Sequence, residues 1–247
     1  MMGAEGNLPY AAARVHARHG RRLDESAWRR IEASRQLGQY VEVLRAGALA
    51  PWVARIEATH DAHAIERALR SEWRAYVRTV ASWHPREWQA WLEWWAWLPV
   101  LPLLARLARP AAVPAWMLAD PVCGPIALGN ADERAAAIAA TPLAPLAVAV
   151  RTDRSMRAAW LRQAERLVPR IDPDTRGHLN TLMSLGAADV ATTPPGSTAA
   201  LVRLFRAASG TAIASGCHLA LQLLEFERLR GGLVVRCLFA AATTEAA

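Results

Sequence analysis

Glu57 and His60 stand in a Glu-x-x-His spacing, and His63 and Glu66 continue along nearly the same helical face. Carboxylate-bridged di-iron bundles are built from such a unit, but they need it twice, with two further inward carboxylates. It occurs once in this chain, so the spacing predicts a solvated helical face carrying a histidine pair. A small metal site at Glu57, His60 and His63 is the alternative. His16 and His19 also share a face, yet Arg14 and Arg18 flank them, and like charge opposes a bound cation. Cys217 precedes His218; adjacent helical positions point about 100° apart, which hinders proton sharing between nucleophile and base, so Cys217 is expected in the core. There is no Gly-rich phosphate loop, no Gly-x-Ser-x-Gly and no His-Glu-x-x-His. No catalytic, cofactor-binding or metal residues are assigned, and no enzymatic activity is expected.

The elements that would position such residues are dominated by tryptophan. Of the 11 in the chain, Trp73, Trp83, Trp88, Trp91, Trp94, Trp95 and Trp97 fall in one stretch. Trp88, Trp91, Trp95 and Leu98 recur at three- and four-residue steps, and Trp94, Trp97 and Leu101 lie on the neighbouring face. Each buried Trp removes roughly 150 to 250 Å² from water and needs an acceptor for its indole N–H. A central, core-packed helix is predicted, starting near Pro85 and ended or kinked by Pro99 and Pro102. A membrane span needs about 20 predominantly apolar residues, and Arg86, Glu87, Glu93 and the two prolines interrupt any such run. An interfacial helix lying on lipid is a second reading of the same stretch.

At 247 residues the chain is long enough for one large domain with a substantial core. The expected class is all-α: an irregular multi-helix bundle over 1–247, with a division into two pseudo-repeats, about 1–108 and 109–247, left open. Three cysteines, Cys123, Cys217 and Cys237, suggest neither a disulfide framework nor a zinc site and fit a reducing compartment. No apolar h-region follows a basic start, so a cytoplasmic protein without a signal peptide is expected. The formal charge of +7 points on its face to phosphates or anionic lipid. All 29 basic residues are Arg, however, and many alternate with carboxylates along helices, as in Glu66/Arg70 and Glu225/Arg228. Solvated faces are expected rather than a nucleic-acid groove.

In chain order, Tyr10–His19 reads as a short helix and Asp24–Leu44 as a helix with Gly38 as a break within it. Pro51 opens a helix expected to run through His60 and His63 to Val80. Arg109–Gly129 is too rich in Pro and Gly for a long helix, although Ala115–Leu118 can form a turn. Helices follow at Ala131–Ala140, Ser155–Leu167 and after an Asp172 or Asp174 cap. Ala191–Thr198 is the clearest boundary, followed by Ala199–Ala208 and a last helix, Thr211–Phe239, in which Gly216, Gly231 and Gly232 allow a bend or a close neighbour.

Two segments echo each other: Arg45–Ala54 and Ala139–Ala149 align Ala46 with Ala140, Leu49 with Leu143, Ala50 with Ala144 and Pro51 with Pro145. The start, through Tyr10, Arg14, Val15 and Arg18, and the end, through Ala220, Glu225, Leu229, Arg230 and Leu233, resemble the first and last helices of the C/d family of A- and V-type ATPases, the central-stalk socket proteins of those rotary machines. That family is all-helical and built of pseudo-repeated bundles with a Thr-Pro-like turn such as Thr141–Pro142. The match covers about a third of the chain. The chain is shorter than typical members by roughly one repeat, and neither the Trp cluster nor the Pro-rich span 109–129 has a counterpart there.

The resemblance implies a non-catalytic central-stalk subunit of a rotary A/V-type ATPase. Such a protein seats the rotor shaft on the membrane c-ring and transmits torque for ion transport. The implied partners are the c-ring and central-shaft subunits, with no nucleic acid and with membrane contact only through those partners, at the cytoplasmic face. The competing expectation is a helical bundle that binds an apolar ligand or cofactor in a Trp-lined cavity. The two differ in geometry: a socket shows rings packed on one another and a polar, Arg-bearing funnel, whereas a ligand bundle encloses an apolar pocket of roughly 300 to 1,000 Å³.

Overall fold

The computed structural model describes residues 7–109, 112–152, 155–187 and 196–245, and among these the regular structure is helical without strands. The chain is an all-α multi-helix bundle. Its helices are α1 (Leu8–His19), α2 (Glu25–Glu32), α3 (Leu37–Arg45), α4 (Ala50–Val53), α5 (Ala62–Ala81), α6 (Arg86–Trp94), α7 (Leu101–Leu107), α8 (Ala115–Leu118) and α9 (Gly124–Ala127). They continue with α10 (Ala131–Ala139), α11 (Ala147–Thr152), α12 (Met156–Arg166), α13 (Pro173–Ala187), α14 (Ser197–Ala207) and α15 (Ala212–Glu245).

The last helix, α15, runs through the middle of the bundle and packs against α1, α3, α5, α6, α13 and α14. Its first half is nearly all buried, from Ala212 through Phe226. Two glycines set its neighbours' distances. A Cβ on Gly216 would lie 2.5 Å from the Trp91 ring, and one on Gly232 would run into the Tyr40 hydroxyl, so only glycine fits either place, whereas Gly231 faces open space.

The Trp-rich stretch is core, but it is not one helix. After α6 the chain tightens into a 3-10 segment, Trp95–Val100, containing Pro99, and resumes as α7 with Pro102 in its first turn. Proline has no N–H to give and clashes with the preceding turn, so the ladder must change register there. The indoles interlock edge to face: Trp88 on Trp91 at 5.6 Å, Trp91 on Trp95 at 6.1 Å and Trp95 on Trp160 of α12 at 5.4 Å between ring centroids. Edge-to-face contact suits the ring quadrupole.

Two further helices are shorter than periodicity predicts. The run expected from Pro51 to Val80 is divided, because the Asp61 side chain accepts from the Ala64 N–H and starts α5 afresh. The break in Asp24–Leu44 falls at 33–36, and Gly38 sits inside α3. By contrast, Asp172 accepts from the Thr175 N–H at the start of α13 as its position suggests. The expected boundary at Ala191–Thr198 lies mostly outside the described residues.

The sequence echo has a conformational counterpart. Leu49 adopts φ −90°, ψ 0° and Leu143 φ −86°, ψ 4°. The Trp52 N–H donates to Leu49 O at 2.9 Å, and the Leu146 N–H to Leu143 O at 2.8 Å. In both, a helix leaves through a tight turn and restarts at a proline, whose fixed φ suits a first turn and whose missing N–H costs nothing there.

Candidate binding cleft

A polar stripe crosses the apolar face of α15: Ser215, His218, Gln222 and Glu225 recur at three- and four-residue steps and all are buried. Each finds a partner on another element or on its own helix. Ser215 Oγ lies 2.9 Å from Nε2 of His84, and His218 Nε2 lies 2.6 Å from the Tyr76 hydroxyl of α5. Glu225 accepts from Arg22 Nε at 2.8 Å and from Gln222 Nε2 at 2.9 Å. The stripe fastens α15 to α5 and to the chain just after α1.

Where it reaches the surface it forms the floor of an open cleft of about 360 Å³. Arg18, Arg21 and Arg22 stand on one side, Glu72, Tyr76 and Thr79 of α5 on another, and Leu23, Leu49, Pro51 and Trp52 supply apolar wall. Trp52 and Tyr76 are 5.2 Å apart between centroids, and the Arg18 guanidinium lies 4.9 Å from the Tyr76 ring and 4.9 Å from the Trp83 ring. Cation–π contact at that range holds Arg18 in place without neutralising it.

Burial governs the electrostatics. It drives the His218 imidazole down to about 3, with His19, Arg22, Arg18 and His16 adding to the effect, so the ring is neutral at pH 7. It raises the Glu225 carboxyl above the ordinary range against the opposing pull of Arg22 and Gln222. The Tyr76 hydroxyl is raised by burial too, despite Arg18. The Nδ1 atoms of His19 and His218 are buried with no hydrogen-bond partner among the described residues.

The residues flagged for chemistry by spacing are not brought together. Glu57 and His60 precede α5, and His60 Nδ1 accepts from the Glu57 N–H at 3.3 Å. His63 stacks on Trp116 with centroids 4.3 Å apart, and Glu66 binds Arg70 and Arg230. Among the described residues no three His, Cys, Asp or Glu side chains are grouped to hold a metal ion. His16 pairs with Ser209, and His19 stacks on Phe205. Cys217 is core, and burial pushes its thiol up to about 12. Reading the sequence alone does not find the cleft as a unit, although a signal for it is there: polar residues at 218, 222 and 225, at helical spacing on an otherwise apolar helix.

The hollow beside Trp95 and Trp160 measures about 30 Å³. Among the described residues no helix is long and apolar enough to cross a membrane. Comparison with protein-family models, curated proteins and solved structures returns no match.

Proposed function

We propose that this chain is a non-catalytic central-stalk subunit of a rotary A/V-type ATPase, seating the shaft on the c-ring and held at the cytoplasmic membrane face by those partners. The observation that carries the reading is the meeting of the two chain ends that resemble the C/d family. Helix α1 packs on α15, and Arg18 from the first and Glu225 from the last line one cleft. Val15, Ala220, Leu229 and Leu233, which share in the resemblance, are buried.

A torque-bearing part has to resist shear between its helices. The indoles of Trp88, Trp91, Trp95 and Trp160 interlock edge to face in the buried core. Arg228 of α15 grips both Glu25 and Glu32 of α2, and Arg230 reaches Glu66 of α5. The Arg-bearing, open cleft and the small volume of the hollow beside Trp95 and Trp160 favour this reading over an apolar-ligand bundle. The test is an affinity pull-down of the tagged protein from its native membranes in mild detergent with identification of what accompanies it. Recovery of c-ring and central-shaft subunits is expected; recovery of the protein alone overturns the proposal.

A further inference from the structure

The cleft between α1 and α15 carries more order than a docking face requires. Its charges are unequally used. Arg22 is taken by Glu225 and Glu72 by Arg55, which leaves Arg18 and Arg21 without a carboxylate in ion-pair range among the described residues. Arg18 is fixed by its two aromatic rings, and Arg21 is exposed at the rim. Deeper in, Gln222 is 8% exposed and gives its amide N–H to Glu225; among the described residues no donor reaches its Oε1. Gln222 lines the cleft, so its amide oxygen can accept from an incoming N–H or O–H group. Between the two ends lies an apolar wall, Leu49, Pro51 and Trp52.

We propose that this cleft is a binding site for a small-molecule carboxylate with a flat apolar body and a hydrogen-bond donor at its far end. The carboxylate meets Arg18 and Arg21, whose planar forks match it in bidentate geometry. The body lies against Trp52, and the donor reaches the Gln222 Oε1 beside Glu225. A phosphate dianion is disfavoured, because Glu72 and Glu225 border the same space and repel the second charge. The volume of about 360 Å³ is at the lower end of small-molecule sites. The proposal is independent of the stalk assignment, since it concerns a ligand of the isolated protein.

Isothermal titration of the full-length protein with three probes tests each part. 4-Hydroxyphenylacetate has the carboxylate, the ring and the donor; phenylacetate lacks the donor; tyramine replaces the carboxylate by an ammonium. Expected is binding of the first, about tenfold weaker binding of the second from the unmade hydrogen bond, and none of the third. Arg21→Gln, on an exposed side chain, weakens the first probe about tenfold, whereas Arg35→Gln elsewhere on the surface leaves it unchanged. No heat from either acid at millimolar concentration overturns the site. Tyramine binding as tightly as the acid, or an unaffected Arg21→Gln variant, overturns the carboxylate assignment.

Discussion

The indole N–H of Trp94 donates to the backbone carbonyl of Trp160 at 3.0 Å, and the indole of Trp160 returns the bond to the carbonyl of Trp94 at 3.1 Å. The exchange clamps α6 to α12 across 66 residues and satisfies two buried donors at once. Trp94 stands at the end of α6, where the 3-10 segment changes the backbone ladder, and Trp160 lies within α12. Removing either ring N–H takes one of these two bonds away. Trp94→Phe and Trp160→Phe are each expected to lower unfolding stability by about 1 to 3 kcal/mol, with the double variant costing less than the sum. Denaturant titrations of the four-member cycle measure the coupling.

Arg70 and Asp120 form a buried ion pair at 2.5 Å, with side-chain exposures of 8% and 2%. Asp120 also accepts from the N–H groups of Val122 and Cys123, pinning the turn between α8 and α9 onto α5. Burial lifts its carboxyl, but those two N–H groups and Arg70 outweigh burial and hold it below the ordinary range. Asp120→Ala is expected to cost on the order of 3 kcal/mol, since the buried Arg70 keeps only its longer pairing with Glu66 and the Val122 and Cys123 N–H groups lose their acceptor. A melting-temperature comparison with Glu42→Ala, an exposed carboxylate paired within its own helix to Arg45, sets the scale.

His218 makes the fold acid-sensitive. Its pKa is lowered to about 3 in the folded protein from an ordinary value of 6.5. The unfolded chain therefore binds the proton first, so the stability contribution is complete above pH 6.5 and is lost as pH falls from there toward 3. By that linkage the loss from this residue alone is about 2 kcal/mol at pH 5. Burial lowers His84 and His19 as well, which steepens the same limb. Unfolding free energies at pH 7, 6 and 5 should decline; a flat profile contradicts the prediction, and His218→Gln should flatten the measured slope.

The glycines of α15 should separate by what lies beside them. Gly216→Ala drives a methyl into Trp91 and Leu182, and Gly232→Ala drives one into the ring of Tyr40, so each is expected to cost about 1 to 3 kcal/mol. Gly231→Ala meets nothing within 4 Å and is expected to stabilise by roughly 0.5 to 1 kcal/mol through helix propensity. Thermal melts of the three single variants decide it.

The helical class, the caps at Asp24 and Asp172, and the burial of the tryptophans follow from local rules that act within a few residues: side-chain period, capping oxygens and the cost of wetting an indole. The recurrence of one turn at Leu49 and Leu143 is also local, since the same short sequence meets the same proline constraint. Helix continuity is legible only where no cap competes with periodicity, which is why Asp61 divides a run that its apolar residues leave unbroken.

Partnership at long range belongs to the packing. No spacing pairs Trp94 with Trp160, Arg70 with Asp120 or Arg22 with Glu225, because those bonds depend on the angles at which whole helices cross. The same holds for the cleft. Its arginines, its Trp52–Tyr76 wall and its Gln222–Glu225 floor come from separated parts of the chain, and only the packing of α1 and α5 around the long α15 gathers them. What each helix must bury is written along its own residues, whereas the crossing of the helices settles which polar groups are left to face one another once that burial is complete.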